Sequence, residues 1–452
     1  MSVALVGQTG LSVPQTMARL LIKNGRVIDP AAGLDAQRDV LLENGRVAAI
    51  EPRIEAGDAE HYDAAGQIVA PGFLDIHVHL REPGIEHAET IETGSKAAAA
   101  GGFTSICCMP NTAPVNDSPT VTSFIVERAR RYAPVRVFPI GAITKDSEGE
   151  SLAEIGAMRL AGAVAISDDG RPVMNSRVMR RAMEYAGSFG MTVIDHCEDL
   201  NLSLGGDLHE GAQSVRLGLR GIPGSSEDVM VGRDIILAES LQARVHIAHI
   251  STAKSIRLVR DARRAGVRVT CEVTPHHFSL ADADIESYDS NYKMKPPLRG
   301  RCDIDAAIEG IADGTIDAIA TDHAPHTGNS KMQEFERCPF GVTGLETALG
   351  LALEKLYHSG KINLMRLVDL FTAGPARVIG LEGGQLSVGG PADVTVFSLD
   401  REWLFDVNNT QSKSKNSPFD QHLFRGGPSA TIVDGKLVWE HQRGLLNGRH
   451  NW

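Results

Sequence analysis

Eight short apolar, β-branched runs recur along the middle of the chain, at 72–79, 104–109, 136–142, 163–167, 192–196, 244–249, 267–273 and 316–321. Most are followed by alanine, leucine and charge at helical spacing, as in 90–100, 176–188, 227–241, 253–265 and 345–356. A strand pattern repeating every two residues and a helix pattern repeating every 3.6 residues cannot belong to one element, so the chain alternates. Eight alternations predict a closed α/β (β/α)8 TIM barrel rather than an open sheet. Outside this region the pattern is strand and turn only. Leu20–Ile28 and Asp39–Ile50, with Asn24-Gly25 and Asn44-Gly45, read as hairpin material. After about Pro375, strand patterns return at 384–388, 392–399, 430–433 and 436–439. The expected architecture is a barrel over 71–375 inserted into a small β-sandwich domain made by both termini, 20–70 and 376–452, with 1–19 a loose extension.

Five of the eight runs end in, or run directly into, histidine or aspartate: His77-Val78-His79, Asp168-Asp169, His196, His249 and Asp322. In such a barrel chemistry sits at the C-terminal ends of the strands. His77 and His79 are two apart on a strand, so both imidazoles share a face. Joined by His196, His249 and Asp322, they predict a metal site whose donors suit Zn²⁺, with Mn²⁺ or Co²⁺ as alternative occupants. Two metals need a bridging anion. Asp169 is favoured, with Asp168 its competitor and a carbamylated Lys145 the third candidate. Asp322 lies in Thr321-Asp322-His323-Ala324-Pro325-His326, where Pro325 argues for a loop over a helix cap. A metal-bound carboxylate there can take a proton from bound water and pass it to a leaving nitrogen, so Asp322 is read as the proton shuttle. Arg81, followed by Pro83-Gly84, is placed to offer a guanidinium to a substrate carboxylate. Taken alone, Asn111 reads as a turn residue. His276 and His277 read as packing around the site. The stretch 201–224 is either a cover for the substrate or an oligomer contact.

The net charge of −12 argues against non-specific binding to nucleic acid or anionic membranes. No apolar run approaches the roughly 18–20 residues of a membrane span, and no secretory signal pattern opens the chain. Six cysteines without a CxxC pair read as reduced thiols of a cytoplasmic protein.

These runs resemble the amidohydrolase superfamily and, within it, the bacterial single-chain dihydroorotases, from about Leu20 to Trp439. The most specific element is Asp75-Ile76-His77-Val78-His79-Leu80-Arg81-Glu82-Pro83-Gly84. Met109-Pro110-Asn111-Thr112, His196-Cys197-Glu198-Asp199, Thr274-Pro275-His276-His277, Pro339-Phe340-Gly341 and Asn416-Ser417-Pro418-Phe419 support it. The resemblance implies reversible cyclisation of N-carbamoyl-L-aspartate to L-dihydroorotate in pyrimidine biosynthesis, by a hydroxide shared between two metals. His77, His79 and Asp322 would hold one metal and His196 and His249 the other, with Asp169 bridging. Arg81 and Asn111 would grip the α-carboxylate, His326 would help, and backbone at Phe340-Gly341 would contact the ring. One position departs: the family usually has Asn in Met-Asn-Pro-Pro-Leu-Arg, where this chain has Lys295. A substrate contact from Lys295 would be longer and charged.

Two other readings share much of this pattern. Dihydropyrimidinases, hydantoinases and allantoinases carry similar metal ligands but usually lack the arginine after HxH and the Met-Pro-Asn-Thr run. Inactive structural partners of aspartate carbamoyltransferase typically lose metal ligands, which this chain keeps. A homodimer or higher homo-oligomer is expected, and a complex with aspartate carbamoyltransferase stays open.

Overall fold

The computed structural model describes residues 19–441 and 443–446. Of the expected extension 1–19, only Arg19 falls among them, and it opens the first strand, Arg19–Asp29. The central runs form eight parallel strands: Phe73–Val78, Phe103–Cys108, Arg136–Gly141, Ala165–Ile166, Thr192–Asp195, Val245–Ile247, Val269–Val273 and Ala318–Ile319. They pair in sequence order. The ring closes where His79 N–H donates to His323 O at 2.9 Å, beside a parallel bridge between Val78 and His323. Asp75 seals that seam by accepting from Thr321 Oγ1 at 2.6 Å and Thr321 N at 3.2 Å. Burial pushes the Asp75 carboxyl up to about 7, although Thr321 and the His77 amide pull against it.

The outer helices bury one stripe each. Ser176–Ser188 buries Met179, Ala182, Met183 and Ala186, and Asn175 caps it by accepting from Arg177 N. Ala253–Arg264 buries Ile256, Val259 and Ala262 behind a Thr252 cap. The strands they cover are buried on both faces, which is why those runs read as almost continuously apolar.

Both chain ends build one nine-stranded sheet outside the barrel. Val394–Leu404 pairs antiparallel with Ile68–Pro71, which joins the late strands to the early ones. Leu20, Ile22, Val40, Val69, Val394 and Ile432 share one core in it. Asn24-Gly25 is not a hairpin turn. Arg19–Asp29 runs through it with a register shift between Ile22 and Gly25, and the chain reverses instead between Asp29 and Leu34. Asn24, at φ 60°, supplies the irregularity that the Asn-Gly pair encodes. Asn44-Gly45 does turn, between Leu34–Glu43 and Arg46–Glu51. The pattern at 384–388 is loop, not strand, and residue 375 falls inside helix Ala373–Ile379.

The segment 411–416 returns to the barrel rim. Glu89 accepts from Ser412 Oγ at 2.5 Å, and Glu346 accepts from Gln411 N at 2.9 Å and Ser412 N at 3.2 Å. Burial pushes the Glu346 carboxyl up to about 8, with these two amides opposing. An acid whose folded pKa is raised holds its proton in the fold, so its contribution is present below the unfolded pKa and is lost as pH climbs through about 8. Glu346→Gln should therefore flatten the fall in thermal midpoint between pH 5 and 9, an effect of a few degrees readable by calorimetry. Parallel curves for the two proteins would contradict this.

Candidate metal centre and its rim

The C-terminal ends of the barrel strands bring His77, His79, Asp169, His196, His249 and Asp322 to one buried point. Asp169 sits in the middle. His77 Nε2 is 3.3 Å from Oδ1, His196 Nδ1 and His249 Nε2 are each 3.4 Å from Oδ1, and His79 Nε2 is 3.5 Å from Oδ2. Asp322 Oδ1 lies 2.9 Å from His79 Nε2 and 3.6 Å from His77 Nε2. Asp168, the competitor, faces away and accepts from Ile143 N at 2.8 Å, Thr144 N at 3.1 Å and the Thr144 hydroxyl. Lys145 is exposed, in the short turn Lys145–Ser147.

The outward nitrogens decide what this cluster can hold. His77 Nδ1 meets Glu272 Oε1 at 2.7 Å, His79 Nδ1 meets Asn111 Oδ1 at 2.8 Å, and His196 Nε2 meets Glu198 Oε2 at 3.2 Å. Each partner is an acceptor, so each of these nitrogens carries the proton. The inward nitrogens of these three are then lone pairs facing Asp169 and Asp322, and that of His196 also meets His249 Nε2 at 2.9 Å. His77 Nε2, fully buried, has no hydrogen bond at all. Lone pairs and anions converging in a dry pocket repel unless cations lie between them. The donor set therefore fits divalent metal, in two overlapping groups: His77, Asp169 and His249, and His77, His79 and Asp322. A third group, Asp195, Cys197 and Asp234, is occupied differently, because Arg233 donates to both carboxylates at 3.1 and 2.7 Å. Burial opposes charge on Asp169 and Asp322. Positive charge on the facing imidazoles outweighs it and holds both carboxyls below the usual range, and this is the charge that a metal would supply in its place.

Three residues here have left-handed backbone: Arg81 at φ 60°, His249 at φ 31° and Asp322 at φ 47°. Such conformations cost free energy in residues other than glycine, and here they turn side chains at strand ends toward one point. Arg81 is half-buried. Its Nε donates to Pro325 O at 3.3 Å, and Nη2 lies 3.5 Å from His326 Nε2. Among the described residues no carboxylate pairs with it within 4 Å. Its loop is held by Glu82, which pairs with Arg128 and accepts from Ile91 N at 2.9 Å. His326 Nε2 donates to Phe340 O at 2.7 Å. Asn416, from the returning segment, donates to Ala324 O and Gly341 O at 3.0 Å each, so it ties the Asp322 loop to the Phe340-Gly341 turn. Lys331 caps the same turn on Pro339 O and Gly341 O at 3.0 and 3.1 Å.

Lys295 stands at the rim with its Nζ 3.0 Å from Glu198 Oε1. The stretch 201–224 folds as helix Ala212–Leu217 between two paired strands, Leu208–His209 and Gly221–Ile222. It packs Leu208, Leu217 and Leu219 against Met294, Leu298 and Phe335, so it forms part of the rim wall. His277 hydrogen-bonds Thr274 Oγ1 and Pro296 O at 2.8 and 3.0 Å, while His276 Nε2 is buried without a partner.

Sequence reasoning missed Glu272, Glu198 and Lys331. Glu272 had a signal: a carboxylate inside an apolar barrel strand, Val269–Val273, has no place without partners. It also takes His246 Nε2 at 3.2 Å. Glu272→Ala should weaken metal binding about 10- to 100-fold, read by chelator competition, because His77 loses its orienting acceptor. Unchanged affinity would contradict that role.

Comparison with known proteins agrees with this geometry. The dihydro-orotase-like family model matches residues 66–255, and the amidohydrolase family model matches 236–439. The dihydroorotase of Solibacter usitatus (strain Ellin6076) is 65% identical over 94% of this chain and 98% of its own. That of Pelotomaculum thermopropionicum is 53% identical over 93% and 99%. Among solved structures, the L-hydantoinase (dihydropyrimidinase) of Arthrobacter aurescens superposes with a TM-score of 0.85 at 26% identity, covering 95% of this chain and 97% of that one. A closed barrel, a dry cluster of imidazoles around one carboxylate, and relatives matched end to end at this identity place the chain in the dihydroorotase family of metal-dependent cyclic amidohydrolases.

Proposed function

We propose that this chain interconverts N-carbamoyl-L-aspartate and L-dihydroorotate. The observation that carries this reading over an uncharged cyclic amide is Arg81. It is a half-buried guanidinium beside the metal cluster, contacted by a carbonyl and an imidazole and by no carboxylate among the described residues. Burial lowers its pKa to about 10, still well above neutral, so it stays charged. Dihydroorotate brings the missing carboxylate, and hydantoin and dihydrouracil do not. Asn111 uses its Oδ1 on His79, which leaves its amide NH2 to donate to the same carboxylate. His326 commits its Nε2 proton to Phe340 O, so its Nδ1 could only accept from a substrate N–H, and backbone at Phe340-Gly341 would border the ring.

His77, His79 and Asp322 would hold one Zn²⁺ and His196 and His249 a second, with Asp169 between them. Mn²⁺ or Co²⁺ would suit the same donors. Bound metal supplies a water of lowered pKa and a polarised carbonyl. In ring opening, Asp322 accepts the proton of the attacking water and delivers it to the amide nitrogen as the C–N bond breaks. In ring closure, it takes the proton from the carbamoyl nitrogen as that nitrogen bonds to the side-chain carboxyl carbon, and returns it to the departing oxygen. Its carboxyl, held below the usual range by His79 and His77, is ionised in the resting site. Arg81 and Asn111 hold the ring so that the scissile carbonyl meets the water, which reduces the entropic barrier.

Further readings rest on less. Six free cysteines, five of them buried, support a reducing, cytoplasmic setting. Among the described residues no helix is long and apolar enough to cross a membrane.

Arg81→Ala should raise KM for dihydroorotate about 10- to 100-fold, the scale of a lost charge-assisted hydrogen bond. An unchanged KM would remove the carboxylate clamp. Asp322→Ala should lower kcat by about 10²- to 10⁴-fold while the protein keeps much of its metal, and near-native turnover would end the shuttle role. Offered dihydroorotate, dihydrouracil, hydantoin and allantoin, the native protein should turn over the first alone, and preference for an uncharged ring would reverse the reading of Arg81.

A further inference from the structure

Lys295 stands where a direct contact to the substrate ring is expected, yet its surroundings describe another task. Its Nζ is 3.0 Å from Glu198 Oε1 and 5.1 Å from the centroid of the Phe340 ring. Glu198 Oε1 takes no hydrogen bond, so its contact with Lys295 is one of charge. The other oxygen, Oε2, takes the outward proton of His196 at 3.2 Å, and the inward nitrogen of that imidazole is 3.4 Å from Asp169. The line therefore runs from cation to carboxylate to imidazole to the centre of the cluster. Glu198 is nearly buried, with a side-chain exposure of 6%, while Lys295 retains 26%.

Beyond Lys295 lies a cavity of about 670 Å³ bordered by Leu204, Asp207, Arg220 and Phe340. Besides His196 the Ser203 side chain interacts with Glu198 from within the wall, and a carboxylate so held in a dry site gains hydration by rotating toward such a space. A cation at its outer oxygen removes that incentive. Lys293, two residues earlier, is tied down separately, with Nζ 2.9 Å from Asp207 Oδ1 and 4.5 Å from the Phe340 ring, so it cannot replace Lys295 without breaking that pair.

We propose that Lys295 is a positioning residue, which holds Glu198 in the rotamer that orients His196 toward the metal, rather than a donor to the substrate ring. The proposal rests on His196 as a metal ligand, and its effect is on how long metal is retained. A conservative Arg at 295 keeps the charge and reach and should substitute for Lys.

The test is a double-mutant cycle on the intact, metal-loaded chain with Lys295→Met, Glu198→Gln and the pair, plus Lys295→Arg. Two quantities are read: the rate of Zn²⁺ release to a chromogenic chelator, and KM against kcat for dihydroorotate. Lys295→Met should speed release of one metal about tenfold or more, the scale of lost outer partners of a ligating histidine. Its KM should stay within about twofold, and Lys295→Arg should restore slow release. In the Glu198→Gln background the Lys295→Met change should add little, since its route to His196 is already cut. A rise in KM with unchanged release would make Lys295 a substrate contact and overturn the proposal, as would fully multiplicative effects of the two substitutions. A native protein that takes up no zinc would overturn the metal reading itself. A loaded native protein with release unaffected by Lys295→Met would overturn only the proposal.

Discussion

The Asp169 carboxylate, surrounded within 3.5 Å by the inward nitrogens of His77, His79, His196 and His249, is the contact on which the site depends. These side chains come from four different strand ends, so no local segment can assemble the cluster. Only a closed barrel brings residues 77 and 322 together, and closure is enforced by the Asp75–Thr321 and His79–His323 contacts directly below. Burying so many polar groups in one place is costly unless each has a partner. Glu272, Asn111 and Glu198 are those partners on the outside for His77, His79 and His196, and they turn those three lone pairs inward, whereas the outward Nδ1 of His249 has no partner among the described residues. The protein thus builds a concave set of acceptors whose remaining electrostatic demand is positive.

The rim is made rigid by elements distant in sequence. Asn416 joins the Asp322 loop to the Phe340-Gly341 turn, and Glu89 and Glu346 bind the chain just before Asn416. The returning segment of the β domain therefore fixes the walls of the substrate space. Of the left-handed residues, Asp322 lies in the loop that Asn416 braces and Arg81 in the loop that Glu82 holds, so their strained backbones are fixed by surrounding contacts. The cations divide by their partners. Among the described residues Arg81 has no carboxylate partner within 4 Å, whereas Lys293, Lys295 and Arg299 pair with Asp207, Glu198 and Glu227 in the wall.

Much of this was legible in the chain itself. Eight alternations predicted the barrel, and the ligand types fell at strand ends because barrel geometry puts them there. The choice of Asp169 over Asp168 was not legible: adjacent residues point apart, and only the hydrogen bonds of Asp168 to Ile143 and Thr144 show which one faces outward. The Asn24-Gly25 pair misled because an Asn-Gly pair encodes a left-handed backbone, which a strand irregularity satisfies as well as a hairpin does. The 384–388 pattern misled because alternation without a neighbouring strand edge gives loop. Glu198 had a local signal, a carboxylate two residues after a ligand-type histidine in the same short run, whereas Lys331 carried none.

The central claim is that Asp169 is shared between two metals. Metal stoichiometry of the purified protein beside its Asp169→Asn variant tests it most directly, by elemental analysis after equilibration with Zn²⁺. The account predicts close to two metals per native chain and one or fewer in the variant, because the carboxylate proposed to lie between the two metals is lost. A variant that retains two tightly held metals, or a native chain that saturates at none, would contradict it.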